Sequence, residues 1–199
     1  MFENIADDLA IMLVEKKIIK PENREFYFYG LQLAISKLFF FLVILAISLF
    51  TKTFPVSMAF IFMYSVIRQF SGGHHCRSEV CCFFVSILLY LIMILFYDID
   101  MRSVKIFLCV TAAVSVLLIM IFSPIEHKNK PLFADERKKY GIISRVVAGV
   151  LAVTVCVSLL LNINVLFYSS SYALTADAVL IVFALKEVKH GEYDSEGNS

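Results

Sequence analysis

The densest chemistry in the chain lies in one stretch, Arg68-Gln69-Phe70-Ser71-Gly72-Gly73-His74-His75-Cys76-Arg77-Ser78-Glu79-Val80-Cys81-Cys82. Two histidines, three cysteines, two arginines and two glycines fall together in a chain with four histidines and five cysteines altogether. Sulfur nucleophilic catalysis needs a thiol, a base to take its proton and positive surroundings. All three are present. Two histidine–cysteine pairs share a spacing of seven, His75 with Cys82 and His74 with Cys81. The same residue types can bind metal, and His74, His75, Cys76 and Cys81 are of ligand type. Their spacing fits no ordinary zinc pattern. A small His/Cys metal-handling or transport membrane protein is the competing reading. Cys109 and Cys156, far from the cluster, read as small core residues of apolar helices.

Helix geometry narrows how a histidine and a cysteine seven apart could work together. On one regular helix the pair shares a face but is separated by ~10.5 Å along the axis. A hydrogen bond needs ~3 Å. The histidine must therefore sit off the helix, folded back over its start. Gly72-Gly73 permits a tight backbone there. Ser78 followed by Glu79 reads as an N-cap and first helical residue. Cys82 then falls in the first turns of a helix, where free backbone amides favour a thiolate.

The elements that must carry this stretch are membrane spans. Apolar residues make up 60% of the chain, against roughly 45–50% in soluble domains. Charged residues are 18%, against roughly 25%, and the mean hydropathy is +0.81. So small a soluble protein could not bury that much apolar surface. A span takes ~20 residues, so six take ~120 and leave no room for a separate soluble catalytic domain. The apolar runs are 33–51, 53–67, 80–97, 106–125, 142–167 and 170–185. The second is short and carries Pro55, so it could be re-entrant. The expected fold is all-α, one integral membrane domain over 1–199 with about six transmembrane helices in 33–185. An amphipathic N-terminal segment precedes them in 1–30, and a polar, disordered tail follows in 190–199. There is no internal repeat. Residues 2–20 place apolar side chains at helical spacing, with Ile5, Leu9, Met12 and Leu13 on one stripe. That helix either lies on the membrane surface or packs against the spans.

Charge sets the orientation. With the N-terminus inside, fourteen of the 18 lysines and arginines fall on the cytoplasmic side and only Lys52, Arg102 and Lys105 outside; Lys37 lies within the first span. Both termini, the 68–79 loop and the 124–145 loop are then cytoplasmic. The N-terminal stretch has no cleavable signal sequence and is expected to be retained. Net charge of +1 is too small for a nucleic-acid footprint. Asp177, ionisable within the sixth apolar run, is either functional or paired with a neighbour.

Arg68, then Gly72-Gly73-x-His75, then Cys82 seven further on, resembles the core motif of the accessory gene regulator B (AgrB) family. These are bacterial membrane endopeptidases that process autoinducer propeptides in quorum sensing. Pro124-Ile-Glu-His-Lys-Asn-Lys-Pro131 resembles the family's loop before its last spans, and Tyr27-Phe-Tyr-Gly-Leu31 its N-terminal region. The resemblance extends over nearly the whole chain in length, span order and charge. It implies a cysteine endopeptidase of the bacterial cell membrane without a cofactor. Its substrate would be a small amphipathic propeptide. Cys82 is then the nucleophile and His75 its base, the register that keeps Gly72-Gly73 at its usual distance from the histidine. His74 and Cys81 are the alternative register. Arg68, Gly72, Gly73 and Arg77 become supporting residues. An acyl-thioester intermediate would pass to a cysteine or serine of the substrate, closing a thiolactone or lactone. The resemblance also raises pairing as a homodimer, on which no residue of the chain bears.

Overall fold

In the computed structural model, backbone is described for residues 2–71, 79–97, 99, 102–124 and 134–196. Side chains are described over the same ranges apart from 2–3, 33, 79–83, 134–136 and 186–196. The described elements are helical: α1 (Phe2–Glu15), a 3-10 turn (Pro21–Asn23), α2 (Arg24–Phe50), α3 (Phe54–Ser71), α4 (Glu79–Tyr97), α5 (Arg102–Phe122), α6 (Ala134–Leu160) and α7 (Asn164–Glu196). Among the described residues, four stretches are long and apolar enough to cross a bilayer: Pro21–Phe50, Arg102–Phe122, Arg137–Leu160 and Asn164–Leu185. The chain is thus an all-α membrane protein. The shorter α3 carries Arg68 in its last turn, and the described apolar part of α4 is Phe84–Tyr97.

Several helix ends differ from the apolar runs. α2 begins at Arg24, nine residues before its run, because nothing between Arg24 and Gln32 breaks a helix once Pro21 has started the preceding turn. α6 begins at Ala134, so the charged stretch Arg137–Lys139 is helical. The break expected between 167 and 170 falls instead at Leu161–Ile163. Asn162 takes a left-handed φ of 55°, and the Ile163 amide donates to the Ser158 carbonyl at 2.9 Å. This is a Schellman ending, which asparagine tolerates. Lys17 and Lys52 close α1 and α2 in the same way, with φ of 55° and 58°. Ile18 N donates to Leu13 O at 3.0 Å, and Thr53 N to Ser48 O at 3.0 Å. The tail expected to be disordered after Lys189 is helical as far as Glu196.

The chain divides into two compact units, Met1–Ile47 and Ser48–Ser199. In the first, α1 buries Ala6 and Ala10, one turn apart, and leaves Ile5, Ile11 and Met12 exposed. Its buried face is therefore made of small side chains, not of the expected large apolar stripe. Arg24 at the start of α2 pairs with Asp7 of α1.

In the second unit α7 is the central helix, packed by α3, α4, α5 and α6. It buries Ser169, Ser170, Ser171, Ala173, Ala176, Asp177, Ala178 and Ala184. Small residues let helix backbones approach closely, the usual basis of packing in lipid. Ser169 Oγ donates to Val165 O at 2.7 Å and Ser170 Oγ to Leu166 O at 2.6 Å, so these buried hydroxyls bond within their own helix. Large apolar side chains such as Leu117, Ile121, Val146, Val150 and Val153 stay exposed, as a lipid-facing surface requires. Cys156, expected in the core, is exposed on α6, and Cys109 is half-buried. Packing covers only one face of α6, and Cys156 lies off it.

α3 and α7 run parallel in a fixed register. Ser169 Oγ lies 3.6 Å from Met63 Sδ, and Ser71 Oγ donates to Asp177 Oδ1 at 2.7 Å; both pairs are 106 residues apart. α4 returns antiparallel to α3. Ser57 Oγ lies 2.8 Å from Tyr90 Oη, and Tyr64 Oη lies 3.2 Å from Ser86 Oγ. The start of α4 is thereby carried to the end of the bundle where α3 finishes.

Candidate functional site

That end of the bundle gathers the last turn of α3, the first turn of α4, the end of α5, the first turns of α6 and the middle of α7. Glu79 is the first residue of α4, so Cys81 and Cys82 occupy its first turn. Gly72, Gly73, His74, His75, Cys76, Arg77 and Ser78 lie outside the described residues, as does most of the 124–131 segment. The choice between the His75–Cys82 and His74–Cys81 registers rests on the sequence, as does the competing metal reading.

Arg68 and Asp177 are described fully, and the fold brings them together. The Asp177 side chain is completely buried, while 17% of the Arg68 side chain is exposed. Arg68 Nη1 stands 3.8 Å from Asp177 Oδ1, an ion-pair distance longer than a hydrogen bond. The same oxygen accepts the Ser71 hydroxyl at 2.7 Å. Asp177 Oδ2 is also buried and has no hydrogen-bond partner among the described residues. Of the two sequence readings of Asp177, pairing with neighbours is thus observed. A carboxylate in so dry a place is costly unless paired and hydrogen-bonded, and its two partners among the described residues come from α3.

Three serines that the sequence reading passed over extend the cluster. Ser123 Oγ lies 3.0 Å from the Ser71 carbonyl oxygen and 2.8 Å from Ser144 Oγ, so its single proton serves one or the other. Ser144 Oγ donates to the Gly141 carbonyl at 3.1 Å. A Cβ on Gly141 would stand only 3.0 Å from Pro124 Cδ, so glycine lets the Ser123–Pro124 corner rest against α6. The rings of Phe70 and Tyr140 meet beside it, centroids 6.0 Å apart. One cluster therefore fixes α3, α5, α6 and α7 where the 72–78 and 125–133 segments attach. The available signal was positional: Ser71 precedes Gly72-Gly73, and Ser123 precedes Pro124.

A family model described as Accessory gene regulator B matches residues 6–185 of the chain. An accessory gene regulator protein B of Staphylococcus carnosus is 30% identical over 125 residues, 62% of this chain and 64% of that relative, just short of two thirds of its length. An AgrB-like protein of Clostridium perfringens is 25% identical over 193 residues, 93% of this chain and 88% of the relative. An accessory gene regulator protein B of Staphylococcus aureus is 25% identical over 142 residues, 70% of this chain and 75% of the relative. No solved structure matches the chain.

Proposed function

From the premise that the chain belongs to the accessory gene regulator B family, with a role in that quorum-sensing system, we propose that it is a membrane cysteine endopeptidase. It cleaves the C-terminal part of an autoinducing-peptide precursor. The single observation that supports this beyond family membership is that α4 is helical from Glu79 onward, which puts Cys82 in its first described turn. Backbone amides of a first helical turn lack partners inside the helix and stabilise negative charge on a nearby sulfur.

In this mechanism His75 takes the proton from the Cys82 thiol as the sulfur attacks the scissile carbonyl carbon. The C–N bond then breaks, and His75 returns the proton to the departing amine of the C-terminal tail. The N-terminal part stays on Cys82 as a thioester. A cysteine thiol or serine hydroxyl within the propeptide then attacks that thioester. Cys82 leaves with its proton restored, and the ring closes as a thiolactone or lactone. Exchange of one thioester for another is nearly isoenergetic. The orientation that suits this chemistry is the charge-based one, with both termini and the start of α4 on the cytoplasmic side, where thiols stay reduced.

The test uses the full chain in lipid vesicles with a synthetic small amphipathic propeptide of the proposed class. Cys82→Ala and His75→Ala are expected to abolish tail release. If Cys81→Ala is dead while Cys82→Ala cleaves, the catalytic register is one residue earlier. If all four single substitutions at His74, His75, Cys81 and Cys82 cleave normally, the endopeptidase reading is wrong.

A further inference from the structure

The buried carboxylate on α7 exceeds what helix packing requires. α7 already packs through alanines and serines, and the hydroxyls of Ser169 and Ser170 bond within their own helix. A hydroxyl or amide at position 177 could accept the Ser71 proton without bringing a charge into an apolar interior. Only a carboxylate also answers a guanidinium. Asp177 Oδ1 does both, accepting Ser71 Oγ at 2.7 Å and facing Arg68 Nη1 at 3.8 Å. Both partners sit in the last turn of α3, and the antiparallel hydroxyl pairs bring the first turn of α4 to the same end. Buried Asp177 leaves Arg68 with part of its side chain exposed.

Resting on the endopeptidase reading above, we propose that Asp177 is a positioning residue for cleavage. Its carboxylate holds the Arg68 guanidinium and the C-terminal turn of α3 against α7, at the bundle end where the Cys82-bearing helix begins. Asp177 touches neither substrate nor sulfur in this arrangement; it acts through Arg68. A cation drawn to a buried carboxylate stays at one place in the fold, which suits it to meet a carbonyl or carboxylate of the peptide being cut. A freely snorkelling arginine would hold no such place.

The experiment compares Asp177→Asn, Arg68→Gln and the double variant, each as full chain in lipid vesicles with the same propeptide. A positioning role predicts that Asp177→Asn lowers kcat by about 100-fold, the scale of a misplaced catalytic group, with KM within about threefold. The double variant should be no slower than Arg68→Gln alone, because the two residues act as one unit. The neutral double variant removes both charges together, so no charge is left buried and unpaired, and its thermal midpoint should stay near that of the parent. A double variant that is stable but slow supports the proposal. One that is stable and cleaves at the parent rate overturns it, as do losses that multiply or losses that track the thermal midpoint. Cys81→Ala and Cys82→Ala, run in parallel, separate the two readings. Tail release persisting in both sinks the endopeptidase, whereas a normal rate in the Asp177/Arg68 double variant sinks only the role of Asp177.

Discussion

Two polar clusters, buried apart from Thr51 and part of Arg68, tie α3 to its neighbours, one at each end, and they differ in kind. Near the start of α3, Thr51, Thr53, Ser57 and Tyr90 form a chain of neutral hydroxyls with separations of 2.7, 3.3 and 2.8 Å. Ser57 also lies 2.9 Å from the Thr53 carbonyl, so the chain is bonded to backbone as well. At the other end Arg68, Ser71 and Asp177 include a charge pair, and one carboxylate oxygen is left without a hydrogen bond among the described residues. Neutral hydroxyls in a membrane interior cost little to bury once bonded, and each bond contributes modestly. A charge costs far more to bury and is kept where it does something else. The first cluster is a fastening. The second has the composition of a site.

That contrast is open to attack in order of size. The largest stability effect should come from Asp177→Ala, which leaves Arg68 without its buried partner. We expect a loss of about 3 kcal/mol, read as an earlier midpoint when the protein is titrated from mild detergent into sodium dodecyl sulfate. A loss no greater than that of Tyr90→Phe would erase the distinction between the clusters. Tyr90→Phe itself removes one neutral hydroxyl bonded to Ser57. It should cost about 0.5–1 kcal/mol and leave the rate of tail release at the parent value. Slowed cleavage with an unchanged midpoint would mean that the far cluster also serves the chemistry. The smallest effect belongs to the pair outside both clusters. Arg24 and Asp7 have side-chain exposures of 45% and 42%, and Arg24→Ala should shift the same midpoint by no more than about 1 kcal/mol, less in high salt.

The sequence made the helices legible because apolar runs of membrane length leave few other solutions. It misplaced the α6–α7 break because Asn162 stands among leucines and isoleucine, where hydropathy outweighs a single left-handed residue. It found Asp177, since one acid in an apolar run is conspicuous. It missed Ser71, Ser123 and Ser144, because serine is neutral on a hydropathy scale and its partners are set by tertiary packing. Ser71 and Ser123 are 52 residues apart, and Ser123 and Ser144 are 21 apart. Arg68 was singled out for its place in the motif, but its pairing with a residue more than a hundred positions away needed the fold. Cys82 was expected near a helix start, and it lies in the first described turn of α4; the expected cap, Ser78, lies outside the described residues.

The repeated separation of 106 residues between α3 and α7 has a consequence for how such a chain can vary. Two contacts eight positions apart on each helix lock their phases together. One residue inserted into α3 between Met63 and Ser71 would turn everything beyond it by about 100°. Ser71 and Arg68 could no longer both face Asp177. The same holds for α7 between Ser169 and Asp177. Insertions and deletions are thus confined to the connections and the helix ends, and the stretch from Met63 to Ser71 behaves as a ruler whose length is set by its parallel neighbour.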